Sequence, residues 1–204
     1  MTNIARFREF IQTFTRLIEE AGDDEPRIFD RGRPLLAELV HHDDWLPNEF
    51  AQSNPERYQQ FLLYCDPLER FSVVSFVWGP GQETPVHDHT VWGMVGMMRG
   101  AETCEEYAVP GGTAAEPMVV SGRHPLKPGE VDLVSPRIGD IHRVGNALSD
   151  KPSISIHVYG ANIGAVHRHI YDTGTGATTP FISGYSNTTI PNLWDRSAEA
   201  PAAA

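Results

Sequence analysis

Along residues 4–20 the apolar positions Ile4, Phe7, Phe10, Ile11, Phe14, Leu17 and Ile18 recur at gaps of three, four and one. That spacing predicts an amphipathic helix with a single buried stripe. The stretch "EAGDDEP" supplies glycine, acids and proline to end it. A second helix is expected over residues 33–43, around Leu35, Leu36, Leu39 and Val40, and a third, shorter one near "SNPERY". From about residue 59 the texture changes. Runs such as "RFSVVSFVWGPG", "HTVWGMVGMMRG", "GEVDLVSPRIGD" and "SISIHVYGA" alternate valine, isoleucine and aromatic residues with polar ones, and glycine or proline separates them. Eight or more short strands without intervening helices predict an all-β sandwich or barrel behind two or three packing helices. No linker or fixed-period repeat divides the chain. We therefore expect one domain, with helices over 1–55, a barrel over 56–190 and a disordered tail over 196–204.

Composition narrows the class. The chain has 204 residues, 40% hydrophobic and 21% charged, enough to bury a proper core. Its formal charge of -11 argues against nucleic acid or anionic membrane as a partner, since polyanions need a basic surface. A small anionic substrate needs only one or two local cations and stays open. The N-terminus lacks a basic segment followed by an apolar one, and no apolar run approaches the length of a membrane span, so a cytoplasmic protein is expected. Cys65 and Cys104 are far apart and form no CxxC, which reads as two free thiols. The oligomeric state is not legible.

The chemistry-bearing stretch is "TPVHDHTVWG". In a strand, His87 and His89 would project from one face while Asp88 points away. Two imidazoles in an apolar interior need something to satisfy their nitrogens. Six residues before His87 stands Gly81, and Gly100 closes the segment; downstream, "SPRIGDIHRVGN" carries Pro136, Gly139, His142 and Asn146. This resembles the two-part cupin signature, G-x5-H-x-H-x3,4-E-x6-G followed by P-x-G-x2-H-x3-N. The match departs at P-x-G, where one extra residue intervenes, and at the glutamate, where this chain has Gly93. His87, His89 and His142 would then be three neutral ligands that leave open positions on a metal, and a divalent ion keeping its full charge should favour a thiolate.

A second run, "PSISIHVYGA", sets Ser155, His157 and Tyr159 at i, i+2 and i+4, on one face of a strand and within reach of a hydroxyl–imidazole–phenol hydrogen-bond chain. Together "HDHT", "GDIHRV" and "SISIHVY", in that order between about Tyr58 and Arg168, resemble the thiol dioxygenase family of cupins, which includes cysteine dioxygenase and 3-mercaptopropionate dioxygenase. The resemblance implies one mononuclear Fe(II) on His87, His89 and His142, delivery of both atoms of O2 to the sulfur of a small thiol carboxylate, and a sulfinate product. It also implies that Tyr159, oriented by His157 and Ser155, hydrogen-bonds near the reacting groups. Mammalian-type members link a cysteine to that tyrosine; the corresponding position here is Gly93, so no such thioether is expected. Those members also carry an arginine where this chain has Gln60, and a neutral amide cannot replace its bidentate carboxylate contact. Arg168 matches an arginine that bacterial members place near the substrate carboxylate. The resemblance thus implies 3-mercaptopropionate first and L-cysteine second. A metal-dependent isomerase would leave the Ser155–His157–Tyr159 run unexplained, and a non-catalytic sensor would be expected to carry a DNA-binding domain or a duplicated barrel, which the sequence does not show. His41, His42, His124 (expected in a loop), His167 and His169 are assigned no metal.

Overall fold

The computed structural model describes residues 3–108 and 117–196. Helix α1 spans Ile4–Ala21 and buries the predicted stripe of Phe7, Phe10, Ile11, Phe14, Leu17 and Ile18. The helix stops at Gly22, whose φ of 57° suits glycine and whose N–H donates to the carbonyl of Ile18.

Helix α2 spans Glu25–Val40, so it starts eight residues before the expected boundary. The "DDEP" read as a terminator is in fact its start. Asp24 accepts a hydrogen bond from the Arg27 N–H as N-cap, and proline sits in the first turn, where its missing N–H costs nothing. Pro34 lies inside the helix, but both it and Asp30, the residue four earlier, are exposed. Water can therefore take up the carbonyl that the proline leaves free. The expected third helix near "SNPERY" does not form. Asn54 accepts from the Glu56 N–H and turns the chain there; a short 3-10 turn, Asn48–Phe50, precedes it.

Ten strands follow among the described residues: β1 Gln59–Cys65, β2 Ser72–Trp78, β3 Gly93–Arg99, β4 Glu102–Ala108, β5 Val119–Leu126, β6 Val131–Val134, β7 His142–Asn146, β8 Ser153–Tyr159, β9 Arg168–Tyr171 and β10 Thr178–Phe181. One sheet has the order β1-β2-β8-β3-β6, and all its pairs are antiparallel. The other runs β5-β4-β7, and bridges from His87 to His142 and to Ile170 join it to the β9–β10 hairpin. The fold is a cupin fold.

The first sheet is buried on both faces, as the all-buried pattern of β8 shows. Ile154, Ile156 and Val158 face a core shared with α1 and α2, while Tyr159 belongs to a second core with Val74, Phe76, Trp78, Cys104 and Val144. The helices lie close. A Cβ on Gly96 would come within 2.9 Å of Leu36 and Val40 of α2, so glycine is what lets α2 seat on β3. The chain then returns to the helices: Leu193 is buried in their core, and its carbonyl accepts from Arg8. The expected disordered tail lies outside the described residues except for Arg196.

Candidate metal centre

His142 opens β7, and His87 pairs with it through reciprocal backbone hydrogen bonds of 3.0 Å. The segment around His87 and His89 is not the regular strand expected from its sequence. The His89 and Thr90 N–H groups both donate to the carboxylate of Asp140, and Thr90 adopts a φ of 60°, which no strand residue has. The two imidazoles nonetheless converge. The rings of His87, His89 and His142 lie 4.8–5.0 Å apart by centroid, and their donor atoms all fall within 4.8 Å of one another.

The tautomers suit a metal. His87 Nδ1 donates to the Pro85 carbonyl at 3.0 Å and His89 Nδ1 to Asp140 at 2.9 Å, which leaves each Nε2 as a lone-pair donor. His89 Nε2 is fully buried and has no hydrogen-bond partner, a costly state unless an ion occupies the space before it. Burial, reinforced by mutual repulsion, pushes His87 down to about 3 and His142 well below the ordinary imidazole value. Both are therefore neutral imidazoles at pH 7, the form that can offer a lone pair to a metal. Burial opposes the charge of Asp140, but its hydrogen bond from His89 and the two backbone donors outweigh that and hold its carboxyl below the usual range.

Asp88 points away from the triad, as expected, and accepts from the ring and backbone of His169 and from the Tyr171 hydroxyl. Asp140 was missed from sequence, although a carboxylate two residues before His142 was a usable signal. Cys104, read as a free thiol, is free but not idle: its Sγ lies 3.5 Å from His142 Nδ1, and burial pushes it up to about 12. His124, expected in a loop, belongs to β5 because it pairs with Cys104 across the ladder.

Ser155, His157 and Tyr159 form the expected chain: Ser155 Oγ to His157 Nε2 at 2.8 Å, and His157 Nδ1 to the Tyr159 hydroxyl at 2.7 Å. Burial drives His157 well below its ordinary value and raises Tyr159, so both stay neutral. The Tyr159 ring stacks on His89 with centroids 5.4 Å apart, which puts the end of the chain beside the triad. Gly93 pairs with Tyr159, and a Cβ there would stand 2.8 Å from its ring. Residue 93 thus stands against the Tyr159 ring and, as glycine, offers no sulfur to link to it.

His87 also lines a cavity of about 400 Å³ together with Tyr58, Gln60, Phe76, Arg168, Ser183 and Tyr185. Arg168 is 3% exposed, lies over the Phe181 ring at 4.7 Å and donates to Ser183 Oγ at 2.7 Å, while its Nε has no partner. Among the described residues no carboxylate lies within ion-pairing distance of it. Gln60 donates through Nε2 to Ser183 Oγ at 3.1 Å and to the Gly184 carbonyl at 3.0 Å, so its amide N–H groups brace the loop that Arg168 leans on.

The model of the cysteine dioxygenase type I family matches residues 37–172, two-thirds of the chain. The chain belongs to this family. The matched segment includes the three histidines, Asp140, Cys104, the Ser155–His157–Tyr159 chain and Arg168. Family membership makes the protein a thiol dioxygenase by kinship, and the triad is a site able to hold a metal ion. Solved structures similar to it include a protein with a double-stranded β-helix domain from Klebsiella pneumoniae, at 19% identity over 64% of this chain and 98% of that one, TM-score 0.44. A cupin-like protein from Thermotoga maritima matches at 19% identity over 59% and 83%, TM-score 0.42. A protein from Thermus thermophilus matches at 21% over 56% and 92%, also with TM-score 0.42. No helix among the described residues of this chain is long and apolar enough to cross a membrane.

Proposed function

We propose that this member of the family holds Fe(II) on His87, His89 and His142 and converts 3-mercaptopropionate to its sulfinate. The observation that carries the substrate is the cavity beside His87. It presents a buried guanidinium with an unpartnered Nε, and among the described residues lining it none is acidic. A thiol acid with one carboxylate satisfies Arg168, whereas the ammonium of cysteine would meet a buried cation and no counter-charge. The iron, when bound, would bring the thiolate and O2 together so that both oxygen atoms end on sulfur, RS⁻ + O2 → RSO2⁻.

The chain's own residues then do three things. Arg168, braced through Ser183, fixes the carboxylate, and Phe76 and Phe181 keep that end of the cavity apolar. Asp140 and the Pro85 carbonyl hold the imidazoles in register. If Ser155 donates to His157 Nε2, then His157 Nδ1–H donates to the Tyr159 oxygen and the phenol proton is left free for the reacting groups. The Trp78 N–H, a donor only, lies 3.5 Å from Ser155 Oγ and favours that polarity.

The test is steady-state oxygen consumption with 3-mercaptopropionate by wild type and by Arg168→Gln. Losing a charge-assisted contact of about 1.5–3 kcal/mol should raise KM roughly 10- to 100-fold with a smaller change in kcat. An unchanged KM would remove Arg168 from the substrate. Wild-type kcat/KM higher for L-cysteine than for 3-mercaptopropionate would keep the family and replace the substrate.

A further inference from the structure

A second cavity, of about 210 Å³, lies between the sheets and is walled by His142 rather than His87. Its lining includes the carboxyl groups of Glu102, Glu106, Asp132 and Asp140, with no lysine or arginine among the described residues. Such a lining draws cations. Three strands bring metal-binding side chains to one point in it. Cys104 and His124 are direct cross-strand neighbours on β4 and β5, and Asp132 arrives from β6 in the other sheet. Their donor atoms all lie within 4.8 Å of one another.

The hydrogen bond of 2.6 Å between His124 Nε2 and Asp132 would satisfy those two residues on its own. The sulfur beside them has His142 Nδ1 as its own neighbour at 3.5 Å, but Glu102 is left unexplained. That residue lies two positions before Cys104 on β4 and is 1% exposed, and neither of its carboxyl oxygens has a hydrogen-bond partner. Ser153, Ser155 and Trp78 are its polar neighbours, and Ser153 Oγ is likewise buried without a partner. A buried carboxyl facing a cavity of acids is explained if the cavity takes a cation.

We propose that Cys104, His124 and Asp132 form a second metal site, for a divalent ion of zinc's class, with Glu102 as a charge-balancing carboxyl in the same cavity. Thiolate, imidazole and carboxylate together suit a borderline-soft ion and differ from the three imidazoles of the first centre. On binding, the metal–sulfur bond replaces the S–H bond of Cys104, Glu102 gives up its carboxyl proton, and both protons leave to solvent. Because Cys104 Sγ lies 3.5 Å from His142 Nδ1, the two centres back onto the same imidazole.

The experiment is a Co²⁺ titration of the chelator-stripped full chain. Bound cobalt is counted by elemental analysis, and the near-ultraviolet thiolate-to-cobalt absorption is recorded. Wild type should bind about two ions per chain and show the band. The double variant His87→Ala/His89→Ala should bind about one and keep the band. Cys104→Ala should bind about one and lose it. His124→Ala leaves the sulfur and its packing in place, and should weaken the band-forming step at least about tenfold. A wild type without the band would overturn the proposal, as would a band that survives Cys104→Ala or vanishes in the double histidine variant; one ion with the band would uphold it and count against the first centre. Since the double variant removes the first centre, this outcome is independent of the oxygenase reading.

Discussion

Asp140 shows how much a single side chain can set. It accepts from the His89 ring and from two backbone N–H groups, so it fixes both the tautomer of a ligand and the path of the chain that carries it. Partners of this kind are typically worth about 10- to 100-fold in metal affinity. Asp140→Ala should therefore lower Fe(II) affinity by roughly that factor, measured by competition with a chromophoric chelator, while leaving the fold intact. Affinity equal to wild type would mean that packing alone orients His89. The three histidines were legible in the sequence as candidate ligands because His-x-His and a later histidine stand at recognisable spacings. Asp140 was not picked out, because an aspartate beside a glycine most often only turns the chain, even two residues before a histidine. Arg168 was legible as a candidate, but only its burial against Phe181 and Ser183 makes it a cation that awaits an anion.

At the scale of elements, periodicity finds α1 and the strand-rich region and misjudges what lies between them. The acids and proline after Gly22 carry the same residues whether they stop one helix or cap the next. Only the hydrogen bond from Arg27 N–H to Asp24 tells which. The His87–His89 segment reads as a strand from its alternation, which cannot show that its N–H groups go to a carboxylate. The run Ser155, His157, Tyr159 is legible, since a period of two is all that strand geometry requires. The seat of α2 on β3 yields a sharper test. A methyl group at Gly96 would approach Leu36 and Val40 to 2.9 Å, so Gly96→Ala should destabilise the protein by about 1–3 kcal/mol in urea unfolding. Its metal content should not change, because the strain falls on the helix side of the sheet. Unchanged stability would show that α2 can lift away freely.

For the whole molecule, the barrel interior gathers groups whose protonation differs between folded and unfolded states. Burial depresses His87 to about 3, and His142 and His157 well below their ordinary value. Their contribution to stability is full above about pH 6.5 and is lost as pH falls toward their folded values, because the unfolded chain takes up protons that the metal-free folded chain refuses. Glu102 acts in the opposite sense. Burial raises it to about 8, so its contribution is present below about pH 4.5 and is lost as pH rises through 8. Between about pH 6 and 5 three imidazoles oppose one carboxyl, a net of about two protons and at most roughly 3 kcal/mol per pH unit. Metal-free protein should therefore be less stable to urea at pH 5.5 than at pH 7, and Glu102→Gln should steepen the fall. A flat profile would mean that water reaches these side chains.

Of all measurements, product identification bears most directly on the function. The Fe(II)-loaded chain, prepared without air, would be offered 3-mercaptopropionate and L-cysteine in parallel under ¹⁸O2, with oxygen uptake and product mass recorded together. The expected product is a sulfinate carrying both labelled oxygen atoms, formed faster from 3-mercaptopropionate. No uptake with either thiol, or oxidation only to a disulfide, would contradict it.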